Sequence, residues 1–145
     1  MPQKDDFDLQ NFLPYLLNQA AEESSLTFQQ IYKDRYGMLR TEWRVLFHLG
    51  IYGRMTASDI GTRSKMHKTK ISRAVQKLAE RRLLTRDRSD EDRRHEYLEL
   101  TTAGMTAYRD LRSIAQRYDA ELDAGFTAEE SRILRRALLK LANMD

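Results

Sequence analysis

The stretch RSKMHKTKISRAVQKLAERRLLTRDRSDEDRR, Arg63–Arg94, decides how this chain is read. It holds twelve Lys and Arg against five Asp and Glu, a net +7, whereas the remaining residues carry thirteen against seventeen, a net −4. A basic block set in an otherwise acidic chain fits a polyanionic partner. The block is also patterned. From about His67 to Arg82, Ile71, Ala74, Val75 and Leu78 fall on one side of a helix at 100° per residue. Thr69, Ser72, Arg73 and Gln76 fall on the opposite side, with Lys68, Lys70 and Lys77 flanking them. Hydroxyls, an amide and a guanidinium are groups that read base edges in a major groove, and lysines beside them suit phosphates.

The second half of the block starts a β-hairpin. Leu84–Arg88 and Glu96–Leu100 are short runs, and Leu98 and Leu100 alternate with polar neighbours as in a half-buried strand. The tip, Ser89–Arg94, is densely charged. A narrow minor groove attracts an inserted guanidinium, and a nearby carboxylate fixes its rotamer, so Asp92, Arg93 and Arg94 are expected to reach DNA.

Upstream, apolar residues recur at three- and four-residue steps from Leu9 to Tyr36, which predicts a long first helix with Pro14 in its first turn and Gly37 as its stop. Thr41 is expected to cap a second helix ending at Tyr52-Gly53. Thr56-Ala-Ser-Asp59 has the form of a capping box for a short third helix, with Ile60 facing inward, followed by a tight turn at Ser64-Lys65-Met66. Downstream, Thr101–Gly104 starts a fifth helix running to about Ala124. Its residues Tyr108, Leu111, Ala115, Tyr118 and Leu122 make a coiled-coil-like seam. Thr127–Glu130 opens a sixth, with Ile133, Leu134, Ala137, Leu138 and Leu141 as its apolar content. The terminal helices carry more apolar surface than so small a middle section can cover, which predicts a homodimer.

The chain has 145 residues, 41% of them hydrophobic and 32% charged, as expected of a folded protein of one domain. It contains no cysteine, which excludes disulfides, Cys-ligated zinc, Fe–S clusters and thiol redox sensing. No apolar run approaches the ~20 residues that span a bilayer, and the start MPQKDDFD is acidic, so a cytoplasmic protein without membrane partners is expected. His48, His67 and His95 fall on separate elements without ligand spacing, and neither a phosphate loop nor a Ser-His-Asp arrangement is readable. An enzyme, a metal site and a cofactor are therefore not expected.

Helix, short helix, turn, helix and two-stranded wing make a mainly α winged helix-turn-helix. With long helices at both ends the chain resembles the MarR family of bacterial transcriptional regulators. The residues carrying the resemblance are Thr41-Glu-Trp-Arg-Val-Leu46, Thr56-Ala-Ser-Asp-Ile60, Lys68-Thr-Lys-Ile-Ser-Arg-Ala-Val75, Leu83-Leu-Thr-Arg86, Asp92-Arg-Arg94 and Leu100-Thr-Thr-Ala-Gly104. It implies a single chain, 1–145, with a winged helix-turn-helix part at 38–100 and a helical dimerisation part at 7–36 and 101–145. It further implies a homodimer on a near-palindromic operator, with recognition helices in successive major grooves and wing residues in the flanking minor grooves.

The resemblance also implies an effector pocket for aromatic or phenolic acids between wing domain and dimerisation helices. Phe12, Tyr15, Tyr36, Trp43, Arg44 and His48 are the aromatic and cationic residues in reach, with Trp43, Arg44 and His48 as ligand candidates. Three positions depart from the family pattern. Lys65 and Arg82 stand where glycine is common, and His67 stands where Asp or Ser caps the recognition helix. The competing reading is a helical adaptor dimer whose basic stretch is only solvated. Sequence-dependent DNA binding with a steep salt slope separates the two.

Overall fold

The computed structural model describes residues 5–88 and 95–144. Its elements run α1 (Leu13–Tyr36), α2 (Arg40–Tyr52), β1 (Met55–Thr56), α3 (Ala57–Ser64), α4 (Lys68–Glu80), β2 (Leu84–Arg88), β3 (Glu96–Leu100), α5 (Thr102–Asp123) and α6 (Ala128–Leu141). A 3-10 turn at Leu9–Asn11 precedes α1. The architecture is the expected winged helix-turn-helix between long terminal helices.

The long first helix keeps Pro14 in its first turn, as expected, and Leu9–Asn11 stay apart from it as the 3-10 turn. Pro14 lacks an N–H and its ring collides with a carbonyl four residues back, so α1 begins at Leu13, with Pro14 in its first turn. At the other end Gly37 adopts a left-handed conformation, φ 62°, and its N–H returns to the Lys33 carbonyl at 2.8 Å. Thr41 is not the cap of α2. The cap is Leu39 and the helix starts two residues earlier than expected, because the buried Glu42 carboxylate reaches back and accepts the Leu39 N–H at 3.0 Å. The capping boxes at Thr56–Asp59 and Thr127–Glu130 form as expected, each closed by reciprocal bonds of 2.9–3.2 Å. Lys65 and Arg82 both keep the left-handed backbone, each at φ 59°. Each conformation costs about 1–2 kcal/mol for a side chain with a Cβ. The Lys65 ammonium donates to the carbonyl of Ala142, just beyond the end of α6.

The core gathers Val45, Leu46 and Leu49 of α2, Ile60 of α3, and Ile71, Ala74, Val75 and Leu78 of α4. It extends without a break to Phe28 and Tyr32 of α1 and to Ala107, Tyr108, Leu111 and Ile114 of α5. An aromatic chain joins these layers. Trp43 lies 5.5 Å from Phe28 and 5.1 Å from Phe47, and Phe47 lies 5.2 Å from Tyr108, all edge to face. The first half of the expected α5 seam is thus occupied within the chain, since Tyr108 and Leu111 sit in its own core. Only the distal part, from Ala115 to Leu122, is left half-buried or exposed. Ile114, outside the 3-4 spacing, is buried with them.

Among the described residues the sheet has three antiparallel strands in the order β1-β3-β2, where two were expected. Met55 pairs with Leu98 and Thr56 with Tyr97, a ladder too short to show a periodicity. The hairpin itself is in register from Leu84–Leu100 to Arg88–Glu96. Its stem is braced by a fork in which Arg86 donates to Glu96 at 2.7 and 2.9 Å. Arg54 adds a second brace, bonded to Asp87 at 3.0 Å and lying 4.7 Å over the Tyr97 ring.

Two outcomes test this account. The Cβ of a Gly104→Ala variant would stand 2.0 Å from the Leu83 carbonyl oxygen, so the helix must retreat from the sheet. Thermal unfolding should show a loss of about 1–3 kcal/mol, as for other overpacked sites. The Arg86 hydrogen bond holds the Glu96 carboxyl below its ordinary 4.5. A lowered folded value means the stabilisation is present above pH 4.5 and is lost as pH falls below it. Amide exchange along β2–β3 should therefore quicken with acid in that range, and the dependence should flatten in Glu96→Gln.

Candidate nucleic-acid interface

α4 owes its presentation to its two faces. Ile71, Ala74, Val75 and Leu78 are each 2% exposed or less, and burial of the three larger side chains, Ile71, Val75 and Leu78, contributes about 1.5–3 kcal/mol each. Lys68, Thr69, Lys70, Ser72, Arg73, Gln76 and Lys77 are all exposed on the remainder of the surface. The face expected to read DNA is therefore outward and continuous. Arg73 projects between Thr69 and Gln76, one turn from each, as α-helical spacing requires.

The start of α4 resolves the departure at His67. Its Nδ1 accepts the N–H of Thr69 at 3.2 Å, so the imidazole stands in for the usual carboxylate or hydroxyl cap. That role requires the neutral ring with its proton on Nε2. Gln76 is held one turn on, its amide donating to Glu80 at 3.2 Å. Reading a base with Gln76 means exchanging that exposed bond for one to DNA.

Not every basic residue of the block faces outward to a partner. The Arg63 guanidinium lies 4.0 Å over the Tyr52 ring. Lys65 is engaged with Ala142, Arg86 with Glu96, and Arg81 with the carbonyls of Tyr36 and Gly37. The cations of α4 (Lys68, Lys70, Arg73, Lys77) are separated by the fold from those that brace it. Sequence spacing does not distinguish these two groups, because the bracing partners are supplied by α1 and its cap, α2, β3 and the residue after α6. Asp92, Arg93 and Arg94 lie outside the described residues.

The ligand candidates are less collected. Trp43 is committed to the aromatic chain between α1 and α2. Arg44 is exposed, and His48, one turn on, keeps its Nδ1 2.6 Å from the Arg44 carbonyl. The cleft between α1 and α5, about 360 Å³, is lined by other side chains, among them Ile31, Arg35, Ile114, Arg117 and Tyr118. Among the described residues no group of three or more His, Asp or Glu could hold a metal ion, and no helix is long and apolar enough to cross a membrane.

Comparison with known proteins agrees with this geometry. The MarR family profile matches residues 36–95, which span the winged helix-turn-helix up to the start of β3. No curated protein sequence matches the chain. Among solved structures, the Bordetella bronchiseptica protein BpsR, described through regulation of its DNA binding by 6-hydroxynicotinic acid, is 20% identical. It aligns over 97% of this chain and 100% of its own with a TM-score of 0.86. A MarR/EmrR family transcriptional regulator from Acinetobacter sp. ADP1 is 25% identical over 94% of this chain and 96% of its own, with a TM-score of 0.84. MepR of S. aureus, solved as a complex with DNA, is 20% identical over 91% and 96%, with a TM-score of 0.82. The family's profile falls on the helix-turn-helix and the first strand of its hairpin, and a regulator of that family is similar to this chain in fold along nearly its whole length.

Proposed function

We propose that this protein is a homodimeric, sequence-specific DNA-binding regulator of transcription, acting in the cytoplasm as a repressor on a near-palindromic operator. The observation that carries the reading is the outward face of α4. Thr69, Ser72, Arg73 and Gln76 supply base-reading groups, while Lys68, Lys70 and Lys77 supply phosphate contacts, on a helix whose other side is anchored in the core. In this reading residues 38–100 form the DNA-binding part, with Asp92, Arg93 and Arg94 at the minor groove. Residues 7–36 and 101–145 hold two copies together. Exposed apolar side chains on those segments support the second role: Phe12, Leu13 and Leu16 near the start, and Ile133, Leu134 and Leu138 on α6, are each at least 40% exposed in the single chain. Two-fold pairing covers such faces and sets the distance between recognition helices.

Release by a small aromatic or phenolic acid completes the proposal. BpsR, whose DNA binding is regulated by 6-hydroxynicotinic acid, supports it by likeness of fold. The exposed Arg44 and the half-buried His48, one turn apart on α2 beside Trp43, are the cation and hydrogen-bonding groups this reading assigns to such a ligand. The ligand acts only through a difference in its affinity for two arrangements of the dimer.

The test is a mobility-shift assay on the DNA upstream of the protein's own gene, across salt concentrations. Submicromolar, sequence-dependent binding whose affinity falls steeply with salt is expected; binding indifferent to sequence would refute the reading. Arg73→Ala and Gln76→Ala should each cost about 1–3 kcal/mol on the operator and little on random DNA. Arg94→Ala should weaken operator binding while dimerisation and melting temperature stay near wild type.

A further inference from the structure

The recognition helix is anchored at its far end by something its own packing does not supply. α4 is capped at its C-terminal end by Arg81, whose side chain crosses to the end of α1. There the guanidinium donates to the carbonyls of Tyr36 and Gly37, the second at 2.9 Å. The terminal carbonyls of a helix have no partner within it and carry the negative end of its dipole, so a cation there is doubly favoured. The fit is close, since a Cβ on Gly37 would stand 3.0 Å from Arg81 Nη2.

Tyr36 continues the connection on its other side. Its hydroxyl donates to Asp110 Oδ2 of α5 at 2.6 Å, and Arg35 donates to both oxygens of the same carboxylate at 3.1 and 3.0 Å. The direction of the titration shifts is consistent with a formed bond. Burial and the Asp110 carboxylate push the Tyr36 phenol up to about 12, and the Tyr36 hydroxyl, with Arg35, holds the Asp110 carboxyl low.

We propose that Arg81, Tyr36 and Asp110 form a positioning relay, through which the contact between α1 and α5 sets where the C-terminal end of the recognition helix lies. This rests on the DNA-binding reading for its consequence, though not for its geometry. The inner stripe of α4 fixes the helix against α2, and two contacts tie its C-terminal end: the Thr101 hydroxyl, which donates to the Arg82 carbonyl at 2.7 Å, and the Arg81 anchor, a turn beyond Lys77. Because the outer ends of α1 and α5 remain open, a change in how they meet is passed to the C-terminal end of α4 through these three side chains, beside the core that the helices share.

Asp110→Asn is the decisive variant, because Asp110 touches neither Arg81 nor the DNA-facing surface. In the full-length protein without DNA, amide exchange at Arg81, Arg82 and Leu83 should quicken in Asp110→Asn, in Tyr36→Phe and in Arg81→Gln, with melting temperatures close to wild type. Unchanged exchange there in Asp110→Asn overturns the relay, whatever the DNA result. On a duplex selected by the wild-type protein from a random-sequence library, Asp110→Asn and Arg81→Gln should each lose about tenfold in affinity. The double variant should lose no more than either single one, and the dependence of affinity on salt should keep its slope. Losses that add, with a slope lower by about one in Arg81→Gln, would make Arg81 a phosphate contact and overturn the proposal. If the wild type selects no sequence while the exchange effects are present, the relay stands and the DNA-binding reading fails.

Discussion

The structure depends first on the burial of one stripe of α4. Ile71, Ala74, Val75 and Leu78 lock against Val45, Leu46 and Leu49 of α2 and Ile60 of α3, and none of the eight is more than 2% exposed. Truncating a leucine in such a place costs about 2–5 kcal/mol. That cost is why α4 has one rotation about its axis and not several. With its rotation set, the polar side of the helix is presented as a single surface, and the wing that follows leaves from a defined point. Everything read as function on this chain presupposes that stripe.

Electrostatics then divide the basic block by task. Charge alone would make Arg63–Arg94 a non-specific polyanion binder. In the folded chain Arg63, Lys65, Arg81 and Arg86 are turned to an aromatic ring, helix-end carbonyls or a carboxylate, and they hold the elements that surround α4. The lysines and Arg73 of α4 are left at the exposed surface. Lys65 and Arg82 fit this division. Each accepts a left-handed backbone that glycine would adopt without cost. Lys65 offsets its strain by reaching the carbonyl of Ala142, and at Arg82 the carbonyl accepts the Thr101 hydroxyl at 2.7 Å.

The terminal helices are less separable from the winged helix-turn-helix than residue ranges suggest. Phe28, Tyr32, Tyr108 and Leu111 belong to the same core as α2 and α4, joined through Trp43 and Phe47. The inner ends of α1 and α5 are thus part of the helix-turn-helix body, while their outer ends and α6 carry the uncovered apolar side chains. A frame continuous with the body gives any shift in the outer helices a stiff route inward.

Local chemistry made much of this legible in the residues alone. The capping boxes at Thr56 and Thr127, the stop at Gly37, the stripe of α4 and the hairpin strands are set by contacts within a few residues, so each left a pattern at short range. Tertiary structure decided what short-range pattern cannot carry. Glu42, not Thr41, closes the start of α2, because a buried carboxylate reaches a free N–H three residues back. Met55-Thr56 became a strand because β3 offered an open edge, and two residues have no period to betray it. The α5 seam turned inward along half its length because Phe47 lay there to meet Tyr108. Above all, which cations of Arg63–Arg94 face outward and which brace the fold depends on partners up to seventy-seven residues away in the chain, and distance in sequence leaves no trace of such a pairing.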